Sequence, residues 1–85
     1  MIPQSTRDAI DRYVNDHCPI GGFLKAVLSN DLVASFGRAD EENRKALFEI
    51  VSYVYNEIPS NCWGSPEKVT KWIAAGAAAR DATDA

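Results

Sequence analysis

No stretch of this 85-residue sequence approaches the roughly 20 consecutive apolar residues that cross a bilayer, and MIPQSTRDA lacks the basic-then-apolar order of a secretory signal. The chain therefore reads as a soluble protein of the cytosol, with no membrane partner. Cysteine is scarce. Cys18 and Cys62 are too few for a disulfide scaffold, and a reducing compartment would keep both as thiols. Basic residues form no stripe: nine Lys and Arg are scattered against twelve Asp and Glu, for a net charge of −3, which disfavours nucleic acid as a partner. No segment alternates apolar and polar residues with turn signals at both ends, so strands are not expected.

What remains is helical periodicity. Ser5 is placed to cap a first helix, whose Ile10, Tyr13, Val14 and His17 share one face until Pro19 stops it. Gly21 and Gly22 allow a sharp turn into a second helix carrying Phe23, Leu24, Val27 and Leu28. Ser29-Asn30-Asp31 interrupts it, and Leu32, Val33 and Phe36 are expected to continue the buried surface up to a stop at Gly37. Asp40 is the best N-cap in the chain, with Glu41 and Glu42 in the turn after it. The longest clean stripe follows in Ala46, Leu47, Ile50, Val51, Val54 and Ile58, a central helix ended by Pro59. Ser65 and Pro66 announce a last helix with Val69, Trp72 and Ile73.

The expected fold is all-α, a compact bundle of four or five short helices. Residues 1–79 form a single domain and the RDATDA tail at 80–85 frays. Phe23, Phe36, Trp63 and Trp72 are its bulky core fillers. A chain this short lies near the lower limit for a self-sufficient core, so a partner or a homo-oligomer would help it.

Catalytic constellations do not survive inspection. His17-Cys18-Pro19-Ile20-Gly21-Gly22-Phe23 invites comparison with the phosphate loop of cysteine phosphatases, but the clamping arginine is replaced by Leu24, and no strand precedes it. Cys18, Cys62 and His17 lack the paired spacing of a zinc site. No Ser, His and Asp set has a glycine-bounded elbow, so no catalytic residue, metal or cofactor is assigned. His17 at a helix end is suited to meeting the last carbonyls. Asp40, Glu41, Glu42, Glu49 and Glu57 fit a helix start and a solvated face.

Two binding features stand out. Phe48, Tyr53 and Tyr55 lie partly off the central stripe and, with Asn56 and Trp63 beside the Pro59 corner, can supply an aromatic contact patch. Trp63 in NCWGSPEKV also reads as a corner plug between two helices. Separately, amides at Gly21 and Gly22 with Lys25 and Arg38 can receive an anion.

GGFLKAVLSNDL at 21–32, GRAD at 37–40, YNEIPS at 55–60 and WGSP at 63–66 together resemble a family of short tailed-phage and prophage proteins, over about residues 2–73. No activity attaches to that family, so no functional residue is carried over. The resemblance implies a small phage-type protein in the cytoplasm of a bacterial host. Compact helical proteins in that setting often bind and inhibit a host or defence protein. Three readings follow: a non-enzymatic interaction protein that modulates a bacterial host or defence protein; an oligomeric protein that sequesters a small ligand such as a nucleotide signal; and a helix-turn-helix-like DNA-binding regulator, the acidic balance weighing against the last.

Overall fold

A computed structural model describes the backbone of residues 1–84 and the side chains of residues 1–77. Among the described residues the chain is an all-α bundle: α1 (Gln4–Asp16), α2 (Gly22–Leu28), α3 (Leu32–Arg38), α4 (Glu41–Lys45), α5 (Leu47–Glu57), a 3-10 turn (Ser60–Cys62) and α6 (Pro66–Asp84). The tail expected at 80–85 falls on residues whose side chains lie outside the described ones.

Six helices replace the expected four or five because the central helix breaks at Ala46. Ala46 leaves ideal helical geometry (φ −95°, ψ 6°) and is buried, between α4, which buries no residue, and α5, which buries Ile50 and Val54. The longest helix is α6 rather than the central one.

The expected caps divide. Asp40 accepts from the Asn43 amide at 2.8 Å, and Ser65 Oγ from the Lys68 amide at 3.2 Å. Ser5, in contrast, lies inside α1. The helix starts after Pro3, whose carbonyl accepts from the Thr6 and Arg7 amides, both at 3.1 Å. Proline has no amide to satisfy, which suits it to that boundary. Gly37 lies within α3, which continues to Arg38.

The core gathers Ile10 and Tyr13 from α1, Leu24, Val27 and Leu28 from α2, Ala46 at the break, Ile50 and Val54 from α5, Ile58 and Cys62 from the corner, and Val69 from α6. Buried Tyr13 donates its hydroxyl to the Cys62 carbonyl at 2.7 Å, tying α1 to the corner before α6. Burial pushes the Tyr13 phenol up to about 12, helped by the nearby Cys62 thiol. Trp63 donates its indole N–H to the Ile58 carbonyl at 3.1 Å, and the Gly64 amide reaches the Leu28 carbonyl at 2.8 Å. NCWGSPEKV is thus a plugged corner followed by a capped helix.

The far end of α1 is held by a reciprocal clamp. His17 adopts the left-handed conformation (φ 56°), with its amide on the Tyr13 carbonyl. Its ring stacks on Trp72 at 4.1 Å, and its Nδ1 donates to the Trp72 carbonyl at 2.7 Å, which fixes a proton on that nitrogen. Trp72 answers by donating its indole N–H to the Tyr13 carbonyl at 2.7 Å. The imidazole therefore serves α6 rather than the last carbonyls of its own helix.

Candidate interaction surface

The segment expected to extend the core along α3 does not do so. Asp31 caps α3 by accepting from the Ala34 amide at 3.1 Å, and Ser35, 2 % exposed, returns its hydroxyl to the Asp31 carbonyl at 2.6 Å. With Ser35 facing inward, Leu32, Val33 and Phe36 face out, 69 %, 83 % and 54 % exposed. Phe36 is therefore not a core filler. Arg44 lies over its ring at 4.9 Å.

Helix α5 carries two apolar stripes. Ile50, Val54 and then Ile58 form the inner one. Phe48, Val51 and Tyr55, at spacings of three and four, form an outer stripe that is 83 %, 43 % and 72 % exposed. Between α3 and α5 opens a groove of about 400 Å³, walled by Val27, Leu32, Val51, Val54, Tyr55 and Trp63, with Asn30, Asp31 and Ser35 at its polar end. Tyr55 and Trp63 pack at 6.1 Å between ring centroids, one on the rim and one half-buried below.

The expected aromatic patch is divided by this geometry. Tyr55 and Trp63 share the groove, and Phe48 continues the outer stripe beside it. Tyr53 is partly buried and lines a separate hollow with Phe48 and Asn56. Its hydroxyl donates to Asp11 at 2.9 Å and Arg7 lies over its ring at 5.0 Å, while burial, then the Asp11 bond, raises its pKa. Asn56 is exposed and bonds back to the Ser52 carbonyl at 2.9 Å.

Three of the four residues expected around an anion do converge. Gly22, Lys25 and Arg38 line a shallow hollow of about 250 Å³, joined by Ser29 and by the carboxylate-bearing Asp31. The exposed Arg38 guanidinium passes beside Gly22, 2.9 Å from where a Cβ would stand. The Ser29 hydroxyl is buried without a hydrogen-bond partner. Gly21 opens onto a different hollow, with Ser5, Thr6 and Asn43.

Both cysteines are free thiols, Cys62 buried and Cys18 partly so. Burial raises the Cys62 pKa, away from the thiolate that nucleophilic chemistry needs. Among the described residues no three His, Cys, Asp or Glu side chains gather as a metal site, and no helix is long and apolar enough to cross a membrane. No protein-family model, curated protein or solved structure matches the chain.

The outer face of α3 escapes sequence reasoning because Leu32, Val33 and Phe36 have the composition of a core stripe. The available signal was Ser35 between them, a small residue whose hydroxyl can return to the preceding turn and so face inward.

Proposed function

We propose that this protein is a non-enzymatic interaction protein that occludes a partner protein with the outer face of α3 and α5. One observation carries the reading: Leu32, Val33, Phe36, Phe48, Val51 and Tyr55 are all exposed, on two neighbouring helices that share a groove. Leu32, Val51 and Tyr55 line the groove itself, and exposed apolar side chains grouped in this way mark interaction sites. The resemblance to short tailed-phage proteins supplies the setting, a bacterial cytoplasm in which the partner is a host or defence protein. Leu32→Glu and Tyr55→Glu alter exposed side chains, so they should abolish capture of a specific bacterial protein while leaving the helical circular dichroism unchanged. Capture that survives both substitutions removes the face from the reading.

A second reading has its own observation, the unpartnered Ser29 hydroxyl in the hollow beside Lys25 and Arg38. An anionic ligand there would raise the melting temperature, and Arg38→Ala would cancel that rise. Inorganic phosphate and nucleoside mono-, di- and triphosphates that leave the melting temperature unchanged would dismiss it.

A further inference from the structure

We infer that the hollow between α2 and α3 takes a phosphorylated polyol of sugar-phosphate size, with its phosphate toward Lys25 and Arg38 and its hydroxyls toward Asp31 and Ser29. The inference rests on the reading of that hollow as an anion site, and it names the ligand.

The hollow is the outer seam of a helical hairpin. Gly22, Lys25, Ala26 and Ser29 run along one side of α2 and its cap, as Asp31, Ala34 and Arg38 run along one side of α3. Two contacts fix the direction of the seam. The Arg38 guanidinium lies beside Gly22, and the Asp31 amide donates to the Ala26 carbonyl at 2.9 Å. The seam therefore runs from Gly22 and Arg38 to Ser29 and Asp31, about 10 Å at the helical rise per residue, with Lys25 one turn in from Gly22.

Its charges are held apart. Lys25, Arg38 and Asp31 line the same hollow, yet the ion pairs among the described residues are Met1 with Glu49 and Lys45 with Glu41. A bare anion satisfies the cationic end alone and is repelled by the carboxylate at the other. An ionised carboxylate only accepts hydrogen bonds, so the ligand that meets both ends is an anion that also carries hydroxyl donors. Asp31 is fixed by giving Oδ1 to the Ala34 amide at 3.1 Å, which leaves its second oxygen for the ligand. The Ser29 hydroxyl, buried without a partner, gains one by turning about its single side-chain torsion into the hollow. A volume of about 250 Å³ lies just under the usual range for drug-sized ligands, which suits a pentose phosphate and leaves the base of a nucleotide outside.

NMR titration of the full chain at low ionic strength, where exposed cations are least screened, compares ribose 5-phosphate with inorganic phosphate at about pH 8, which keeps both largely dianionic. Both should shift the amides of Lys25, Ser29 and Arg38. Ribose 5-phosphate should bind at least about tenfold tighter, as hydrogen bonds to a charged group add. Arg38→Ala should weaken both by about tenfold or more. Asp31→Asn keeps a capping oxygen for α3 but turns the free one into a donor. It should weaken ribose 5-phosphate by about tenfold and leave inorganic phosphate bound as tightly or more so. Ser29→Ala should weaken ribose 5-phosphate by about three- to tenfold without lowering the melting temperature of the free protein, since the hydroxyl it deletes has no partner there. Inorganic phosphate bound as tightly as ribose 5-phosphate overturns the inference and leaves the anion reading standing. The same holds if Asp31→Asn weakens both ligands alike, or if Ser29→Ala weakens neither. Amides that neither ligand shifts remove the inference and the anion reading together.

Discussion

Gly76→Ala should destabilise this protein although the position is inside a helix. At an ordinary helical site the change is favourable by roughly 0.5–1 kcal/mol, because alanine loses less backbone freedom on folding. Gly76 is buried against the left-handed turn that ends α1, and a Cβ built on it would lie 2.3 Å from the His17 Cβ and 3.0 Å from its Cγ. Carbon atoms in contact prefer about 3.5–4.0 Å, so α6 and His17 must part by an ångström or more. That separation acts on the 4.1 Å stack of His17 on Trp72 and on the two 2.7 Å hydrogen bonds linking these helices. Overpacking costs about 1–3 kcal/mol and each weakened hydrogen bond about 1 kcal/mol. Set against the helical gain, the net loss is about 2 kcal/mol, or roughly 10 °C in melting temperature for a chain of this length.

Urea unfolding followed by tryptophan fluorescence and by circular dichroism reads this directly, with Gly37→Ala as the control. Nothing lies within 4 Å of a Cβ at Gly37, in helix α3, so that substitution should stabilise by about 0.5 kcal/mol. The two Gly→Ala changes are thus expected to have opposite signs. His17→Gly removes the atom that is struck while suiting the left-handed backbone. In that background Gly76→Ala should cost at least about 1 kcal/mol less than it does alone. A Gly76→Ala protein as stable as wild type would refute the clamp between α1 and α6.

Other outcomes follow from the core and the corner. Tyr13, ordinarily near 10.0 and raised to about 12 by burial, stays protonated in the folded state where the unfolded chain ionises. Stability should therefore hold below pH 10 and fall by about 2–3 kcal/mol as pH climbs through about 12, a slope that Tyr13→Phe removes in alkaline denaturation curves. Under native conditions a thiol reagent should titrate Cys18 promptly and Cys62, fully buried, only at the rate of opening; equal rates would show that the corner is loose. Trp63→Ala should cost about 2 kcal/mol in urea unfolding, less than a fully buried tryptophan because this one is partly exposed; an unchanged midpoint would leave Trp63 to the groove alone.

Features written into neighbouring residues were the ones legible in the sequence. Asp40 and Ser65 each cap the amide three residues on, and Pro59 marks the end of α5 by sterics, whereas α1 ends at the left-handed His17, two residues before Pro19. The inner stripe of α5 was equally plain, since Ile50, Val54 and Ile58 recur at a helical period. Direction was less legible. Leu32, Val33 and Phe36 give α3 a core-like composition, but which side turns inward is decided by Ser35 and by what α2 and α5 leave uncovered. The candidate site shared that fate: Tyr53 and Tyr55 are two residues apart, about 200° around a helix, and one is tied to Asp11 while the other faces out. Gly76 has no explanation among its alanine neighbours, because its reason, the His17 turn, is 59 residues away in sequence.

Helix α3 links the small core to the exposed face. It contributes no large apolar side chain to the core; its buried residue is Ser35, and it is held by the Asp31 cap and the adjoining Ala39. Hydrophobic burial scales with apolar area removed from water, so α3, with α4, which buries no residue, has little to lose by opening. Whatever covers Leu32 and Phe36 supplies the burial that α3 lacks alone, and ordering and binding are then one event. Amide exchange in the dilute monomer should be fastest at 35–38, where α3 amides bond within the helix, and slowest around Ile50 and Val54 of α5. With a captured partner at about one hundred times its dissociation constant, exchange at 35–38 should slow by up to about a hundredfold, while globally exchanging amides gain no more than that same factor. Amides at 35–38 already as protected as Ile50 in the monomer would mean that α3 needs no cover.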